Sequence, residues 1–203
     1  MKARFLFFLL TFLTIATVSA QDSLRMAFSK SYTFEKAGDY TSAIKSIKQS
    51  YDERSYECNV RLGYLSYIIG GFKEATNYYT RAIALMPYAI EARLGYVLPA
   101  SKLEKWDDVL AQYHAVLKID PQNTSVNYKA GMIYYYRKNY AAALPLFERI
   151  VNLYPFDYDG MYMYAWTNLQ MGKFKEAKIL FNKVLLISPN DKSALEGLSL
   201  IKK

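Results

Sequence analysis

Cysteine and histidine are scarce in this chain, and each scarcity excludes a class of function. Cys58 is the only cysteine among 203 residues, so no intrachain disulfide can form. Cysteine is among the most buried residue types, and Cys58 reads as a small core side chain. His114 is the only histidine. It sits beside Tyr113 in an amphipathic stretch and reads as a helix-surface residue. The chain has no nucleophile–histidine arrangement, glycine-rich phosphate loop or metal-ligand cluster. We therefore expect no catalysis, no cofactor and no metal. The adjacent acids Asp107 and Asp108 point to different sides of a helix and suit its first turn. Asn123-Thr124-Ser125 fits a glycosylation sequon, which matters only in a source that glycosylates.

A long apolar run is also lacking, except at the start. Residues 1–20 combine a basic opening, "MKAR", with the fourteen-residue run "FLFFLLTFLTIATV" and small residues before Gln21. This is the layout of a secretory signal peptide, and the run is short for a span of about 20 residues. The other reading is an uncleaved N-terminal anchor, the one case that would bring membrane contact. The expectation is export to the periplasm or beyond, with 21–203 as the working domain. Basic residues outnumber acidic ones, 26 against 18, for a net charge of +8. Without Lys2 and Arg4 it falls to +6. The basic residues are scattered among acids, so no nucleic-acid footprint is present.

What the chain does have is a period. Pro87, Pro121, Pro155 and Pro189 lie 34 residues apart, and a fixed period of 20–50 residues signals a solenoid. Phe72, Trp106, Tyr140 and Phe174 precede the prolines by fifteen. Ala75, Val109, Ala143 and Ala177 follow, then Tyr79, Tyr113, Phe147 and Phe181, then Ala82, Val116, Ile150 and Val184. Steps of three and four trace one helix face. These positions predict the apolar stripe of a second helix in each unit, ended by proline. A first helix lies upstream. Its small position, Gly63, Gly131 and Ala165, is expected to let it approach the Ala75, Ala143 and Ala177 positions. Gly38, Gly70 and Gly172 precede second helices, where a tight turn suits positive φ.

The segments "GYLSYIIGGFKEATNYYTRAIALMP", "GMIYYYRKNYAAALPLFERIVNLYP" and "AWTNLQMGKFKEAKILFNKVLLISP" resemble the tetratricopeptide repeat family, as does the more degenerate "FSKSYTFEKAGDYTSAIKSIKQSY". The resemblance covers nearly all of 21–203. It implies an all-α fold, a right-handed α-solenoid of antiparallel helix pairs, that binds a protein or peptide in a concave groove. The expected units are 24–55, 56–87, 88–123, 124–157 and 158–191, with a capping helix over 192–203 whose Leu195, Leu198 and Ile201 are expected to cover the end of the stack and whose Lys202 and Lys203 suit the helix C-terminus. "RLGY" occurs at 61–64 and 93–96, which places Gly95 rather than Val97 in the small position of the third unit. That reading shortens the loop after Pro87 by two residues and lengthens the turn "SKLEKW" by two. Pro145 is expected to kink its helix.

The twenty tyrosines divide by register, because a helix turns about 100° per residue. In "GMIYYYRKNY", Tyr134 and Tyr140 are expected in the core, Tyr135 in the groove and Tyr136 at its edge. The same offset gives the groove candidates Phe28, Tyr32, Tyr64, Tyr67, Tyr96, Tyr128, Met132, Tyr135, Tyr162 and Trp166. A register error of one residue would turn these rings inward, so core and groove both stay open for the set. The resemblance implies Lys, Asn and Arg side chains where some members clamp a carboxylate; aromatic residues and Met stand there instead. The groove thus suits an apolar or aromatic peptide, or alternatively a glycan or small ligand. The identity of the partner and the oligomeric state are not written in the residues.

Overall fold

The computed structural model describes residues 21–201. The signal-peptide reading and Lys202 and Lys203 lie outside the described residues. Within them the chain is helical, with no strand. Helix α1 covers 21–36. It is followed by α2 (Tyr40–Lys48), α3 (Tyr56–Ile68), α4 (Phe72–Leu85), α5 (Ile90–Lys102), α6 (Trp106–Ile119), α7 (Thr124–Tyr136), α8 (Tyr140–Leu153), α9 (Tyr158–Gln170), α10 (Phe174–Ile187) and α11 (Lys192–Ile201). Two compact units form, one through Lys105 and one from Trp106.

Elementary turn chemistry sets these boundaries. Asp39, Ser55, Asn123, Asn139 and Asp157 each accept a backbone N–H from the first turn of the following helix, satisfying a donor the helix cannot. Gly38, Gly70 and Gly172 take φ of +77°, +81° and +73° before α2, α4 and α10, the left-handed turn expected of them. At the same place before α6 and α8 stand Glu104 and Lys138, with φ of +56° and +58°. Residues with a Cβ adopt this conformation only at a cost. Within each unit the short connections reverse the chain and lay successive helices side by side.

In the first unit, Ile47, Cys58, Leu62 and Tyr78 form a buried cluster with Leu24, Phe28, Ile44 and Tyr51 against it. Cys58 is fully buried, as its residue type suggests. In the second unit, Ala143, Phe147, Ile150 and Met163 make one cluster, and Met161, Ala165, Phe181, Val184 and Ala194 belong to another. The three inner positions of the second helices are buried throughout, from Ala75, Tyr79 and Ala82 to Ala177, Phe181 and Val184.

Four sequence expectations need correction. The first position of the second-helix stripe is not core: Trp106 is 41% exposed and Phe174 52%, while Phe72 and Tyr140 are half-buried. These residues open their helices at the rim, where packing has not closed. Tyr134 is likewise half-buried, and its hydroxyl pairs with His114 Nε2 at 2.6 Å. In the capping helix Leu195 is exposed, while Leu198 and Ile201 pack against the core. At the small position the nearest atoms are ring atoms: a Cβ on Gly63 would lie 2.9 Å from the Tyr79 ring, and one on Gly131 2.7 Å from Phe147. A flat ring fills the gap that the glycine leaves.

The fourth correction concerns register. Helices α3, α5, α7 and α9 start at 56, 90, 124 and 158, and α4, α6, α8 and α10 at 72, 106, 140 and 174. The period is 34 throughout, with no short loop after Pro87 and no long turn at "SKLEKW". Val97, buried, holds the small position. Gly95 lies two residues earlier and faces the second helix of the preceding pair. The two-residue irregularity falls instead between Gly38 and Gly70. Helix α8 runs its full fourteen residues through Pro145. Both Pro145 and Ala141 are exposed, so water can serve the carbonyl that proline leaves without a donor.

Candidate functional site

The aromatic candidates fall into two groups, one in each unit. In the first unit, Phe28 and Tyr32 of α1 and Tyr64 of α3 meet at a cleft of about 390 Å³. Tyr56, Glu57, Val60 and Arg61 of α3, Glu91 and Gly95 of α5, and Tyr79 of α4 complete its lining. Phe28 and Tyr64 are half-buried, and Tyr32 is 50% exposed.

At the base of the cleft lies Arg61, only 6% exposed. Its guanidinium contacts the Glu35 carboxylate at 2.7 Å and donates to Ser31 Oγ at 3.0 and 3.1 Å. It also lies 4.1 Å from the Tyr32 ring centroid and 5.8 Å from that of Tyr64. A buried charge is tolerated only when paired and hydrogen-bonded, and every feature of that requirement is met here. Hydrogen bonding to Glu35, followed by burial, raises the Tyr64 hydroxyl above its ordinary pKa. Burial and then Glu91 do the same for Tyr56, whose hydroxyl donates to Glu91 Oε2 at 3.3 Å.

Tyr67 is half-buried, with its ring 5.9 Å from that of Phe72. Tyr96 is half-buried as well. With the period kept at 34, it is Leu98, exposed, that shares the position of Tyr64, Met132 and Trp166. The offset argument that singled out Tyr96 therefore applies to Leu98.

In the second unit, Tyr128, Met132, Tyr135 and Tyr162 pack partly buried on the Ala143–Phe147–Ile150 cluster. Tyr128 meets Phe147 edge-on at 6.0 Å, and Tyr135 meets Tyr140 at 5.3 Å. Burial raises both hydroxyls above the usual tyrosine range. Tyr136 is 75% exposed. Along α9, Tyr158 stacks on Tyr162 at 5.7 Å, Tyr162 meets Trp166 at 6.4 Å, and Trp166 meets Phe181 edge-on at 5.3 Å. Their polar tips reach α11. Tyr158 donates to Asp191 Oδ2 at 2.6 Å, Tyr162 pairs with Ser193 Oγ at 2.8 Å, and the Trp166 indole N–H donates to the same oxygen at 3.2 Å. None of the ten candidates is fully buried.

Sequence reasoning passed over Arg61, Glu35, Tyr56, Glu57, Glu91 and Tyr158. For Tyr158 a signal existed: it lies four residues before Tyr162, on the same helix face. The Arg61–Glu35 pair joins positions 26 apart on separate helices, and no spacing rule connects them.

Two tetratricopeptide repeat models match the chain, at residues 98–158 and 134–199. Together they cover about half of it. The TPR repeat-containing protein YpiA of Bacillus subtilis (strain 168) is 31% identical over 165 residues. That match takes in 80% of this chain but only 38% of YpiA, so the chain spans about two fifths of that relative's length. Among solved structures, a tetratricopeptide repeat protein from Parabacteroides merdae ATCC 43184 superposes with a TM-score of 0.72 at 23% identity, covering 89% of this chain and 72% of that one. The MamA protein gives 0.71 at 16% identity, covering 85% and 96%. At these identities the likeness concerns the fold. With the 34-residue period, the paired helices and the repeat models in agreement, the chain belongs to the tetratricopeptide repeat family.

Proposed function

We propose that this protein is an exported tetratricopeptide scaffold that binds a protein or peptide partner through aromatic side chains on its first helices, in the assembly of an envelope complex. The family's repeats serve protein–protein interaction, and aromatic rings make efficient anchors because they bury much area with few rotors to freeze. One observation carries the reading: the cleft of the first unit draws its rings and charges from α1, α3 and α5 together. A surface assembled from three successive first helices fits an extended ligand better than a single pocket does.

The test is capture of a partner from native envelope extract with a C-terminally tagged protein. Tyr32→Ala and Tyr135→Ala should each weaken recovery of the same partner, with helical content and melting close to wild type. If both variants instead unfold, the rings are core and the reading fails. Export has its own test. N-terminal sequencing of protein from the envelope fraction should begin at Gln21; retention of Met1 in a membrane pellet would mean an anchor.

A further inference from the structure

We infer that the cleft of the first unit takes a cationic side chain, lysine or arginine, from the partner peptide. This rests on the peptide-binding reading above and adds the chemistry of one anchor. The cleft, about 390 Å³, falls within the usual range for ligand pockets. Its charges are unequal. Arg61 is already matched by Glu35 at 2.7 Å. Glu57 and Glu91 remain, and among the described residues neither forms an ion pair. The excess of two carboxylates stands out in a chain of net charge +8.

Both carboxylates keep acceptor capacity. Glu57 accepts one hydrogen bond, from Ser55 Oγ at 3.0 Å, and Glu91 accepts one, from Tyr56 at 3.3 Å. A carboxylate offers about four acceptor sites. The ring faces agree with the carboxylates, since Tyr and Phe attract cations through their quadrupoles. Tyr32 and Tyr64 already do this for Arg61, which leaves Tyr56 and Phe28 for the ligand. Gly95 brings α5 close against the Tyr79 ring, where a Cβ would lie 2.2 Å away, and Glu91 of the same helix lines the cleft. Pro99 has no N–H, so the Gly95 carbonyl also lacks its helical donor. An anion entering this cleft would meet two uncompensated carboxylates, with the one buried cation already engaged.

The experiment is an NMR titration of the protein with Nα-acetyl-arginine N-methylamide and the corresponding lysine compound. The citrulline and glutamate compounds serve as the neutral and anionic counterparts. Saturable shifts at Val60, Tyr64 and Gly95 with the two cations, and not with citrulline or glutamate, are expected. Glu57→Gln with Glu91→Gln should weaken that binding about three- to tenfold, with melting nearly unchanged. Citrulline binding as well as arginine, or the double variant binding as wild type, would overturn the proposal. If no cation binds and yet Tyr32→Ala still abolishes partner capture, the cation reading fails and the peptide reading stands. Loss of both removes the functional reading itself.

Discussion

Gly63 and Gly95 stand against the same ring from two helices. A Cβ on Gly63 would lie 2.9 Å from Tyr79, and one on Gly95 only 2.2 Å. The Tyr79 side chain is 4% exposed, and burial pushes its hydroxyl well above the ordinary range. The ring thus fills a slot that α3 and α5 leave together.

Alanine at these positions separates two opposing effects. It gains about 1 kcal/mol of helix propensity over glycine, while overpacking costs about 1–3 kcal/mol. At 2.9 Å a small shift relieves the contact, so Gly63→Ala should be nearly neutral. At 2.2 Å the ring must move, and Gly95→Ala should lower stability by about 1–2 kcal/mol. Urea denaturation of both variants checks this, and Tyr79→Leu in the Gly95→Ala background should recover part of the loss.

The left-handed turns provide a reciprocal test. Lys138, at φ +58°, stands where Gly172, at +73°, stands one repeat later. Lys138→Gly should stabilise the fold by about 0.5–1 kcal/mol through relief of backbone strain. Gly172→Ala should destabilise it by about 1 kcal/mol. Thermal unfolding that moves both variants in one direction would contradict this account.

Removing the buried cation should be costly. Arg61→Ala leaves Glu35, with its side chain 22% exposed, and Ser31 without their partner. We expect a loss of about 2–4 kcal/mol, below the value for a fully buried pair because Glu35 reaches some water. Arg61→Met combined with Glu35→Gln should lose less than Arg61→Ala, since no uncompensated charge remains. Denaturant midpoints of the two variants decide the order.

Asp191 joins α9 to α11, and its effect depends on pH. The hydrogen bond from Tyr158, then the Ala194 N–H at 2.8 Å, holds its carboxyl below the ordinary value. A depressed folded-state pKa stabilises above the unfolded value of about 3.9 and loses that contribution as pH falls through the folded value. Tyr158 behaves in the opposite sense. Its hydroxyl is raised to about 12, so its contribution is complete below about 10 and disappears as pH climbs toward 12. Asp191→Ala, which also removes the cap of α11, should cost about 1 kcal/mol and flatten the acid side of the stability profile. Trp166 fluorescence is a suitable probe, because its indole bonds to Ser193 beside the cap.

The family, the period and the helix pairs are legible in the residues because each rests on short-range chemistry. Proline ends a helix wherever it occurs after the last turn. Gly38, Gly70 and Gly172 mark turns that only their backbone adopts freely. Offsets of three and four show one helix face without reference to any other helix. Contacts between helices are another matter. "RLGY" reads the same at 61–64 and 93–96, yet its glycines approach Tyr79 from different helices. Arg61 looks like one more scattered basic residue until α1 brings Glu35 and Ser31 to it. Trp106 and Phe174 have the hydrophobicity of core residues, and only their place at the helix rim leaves them in water. The chain by itself therefore determined the helix pairs and most of their ends, since those choices depend on neighbours a few residues away; the register of α5, shifted by two residues through the "RLGY" match, needed the structure. Which ring fills which gap, and where a charge meets its partner, depended on segments about 16 to 30 residues apart coming together in space, and only the tertiary structure decided that.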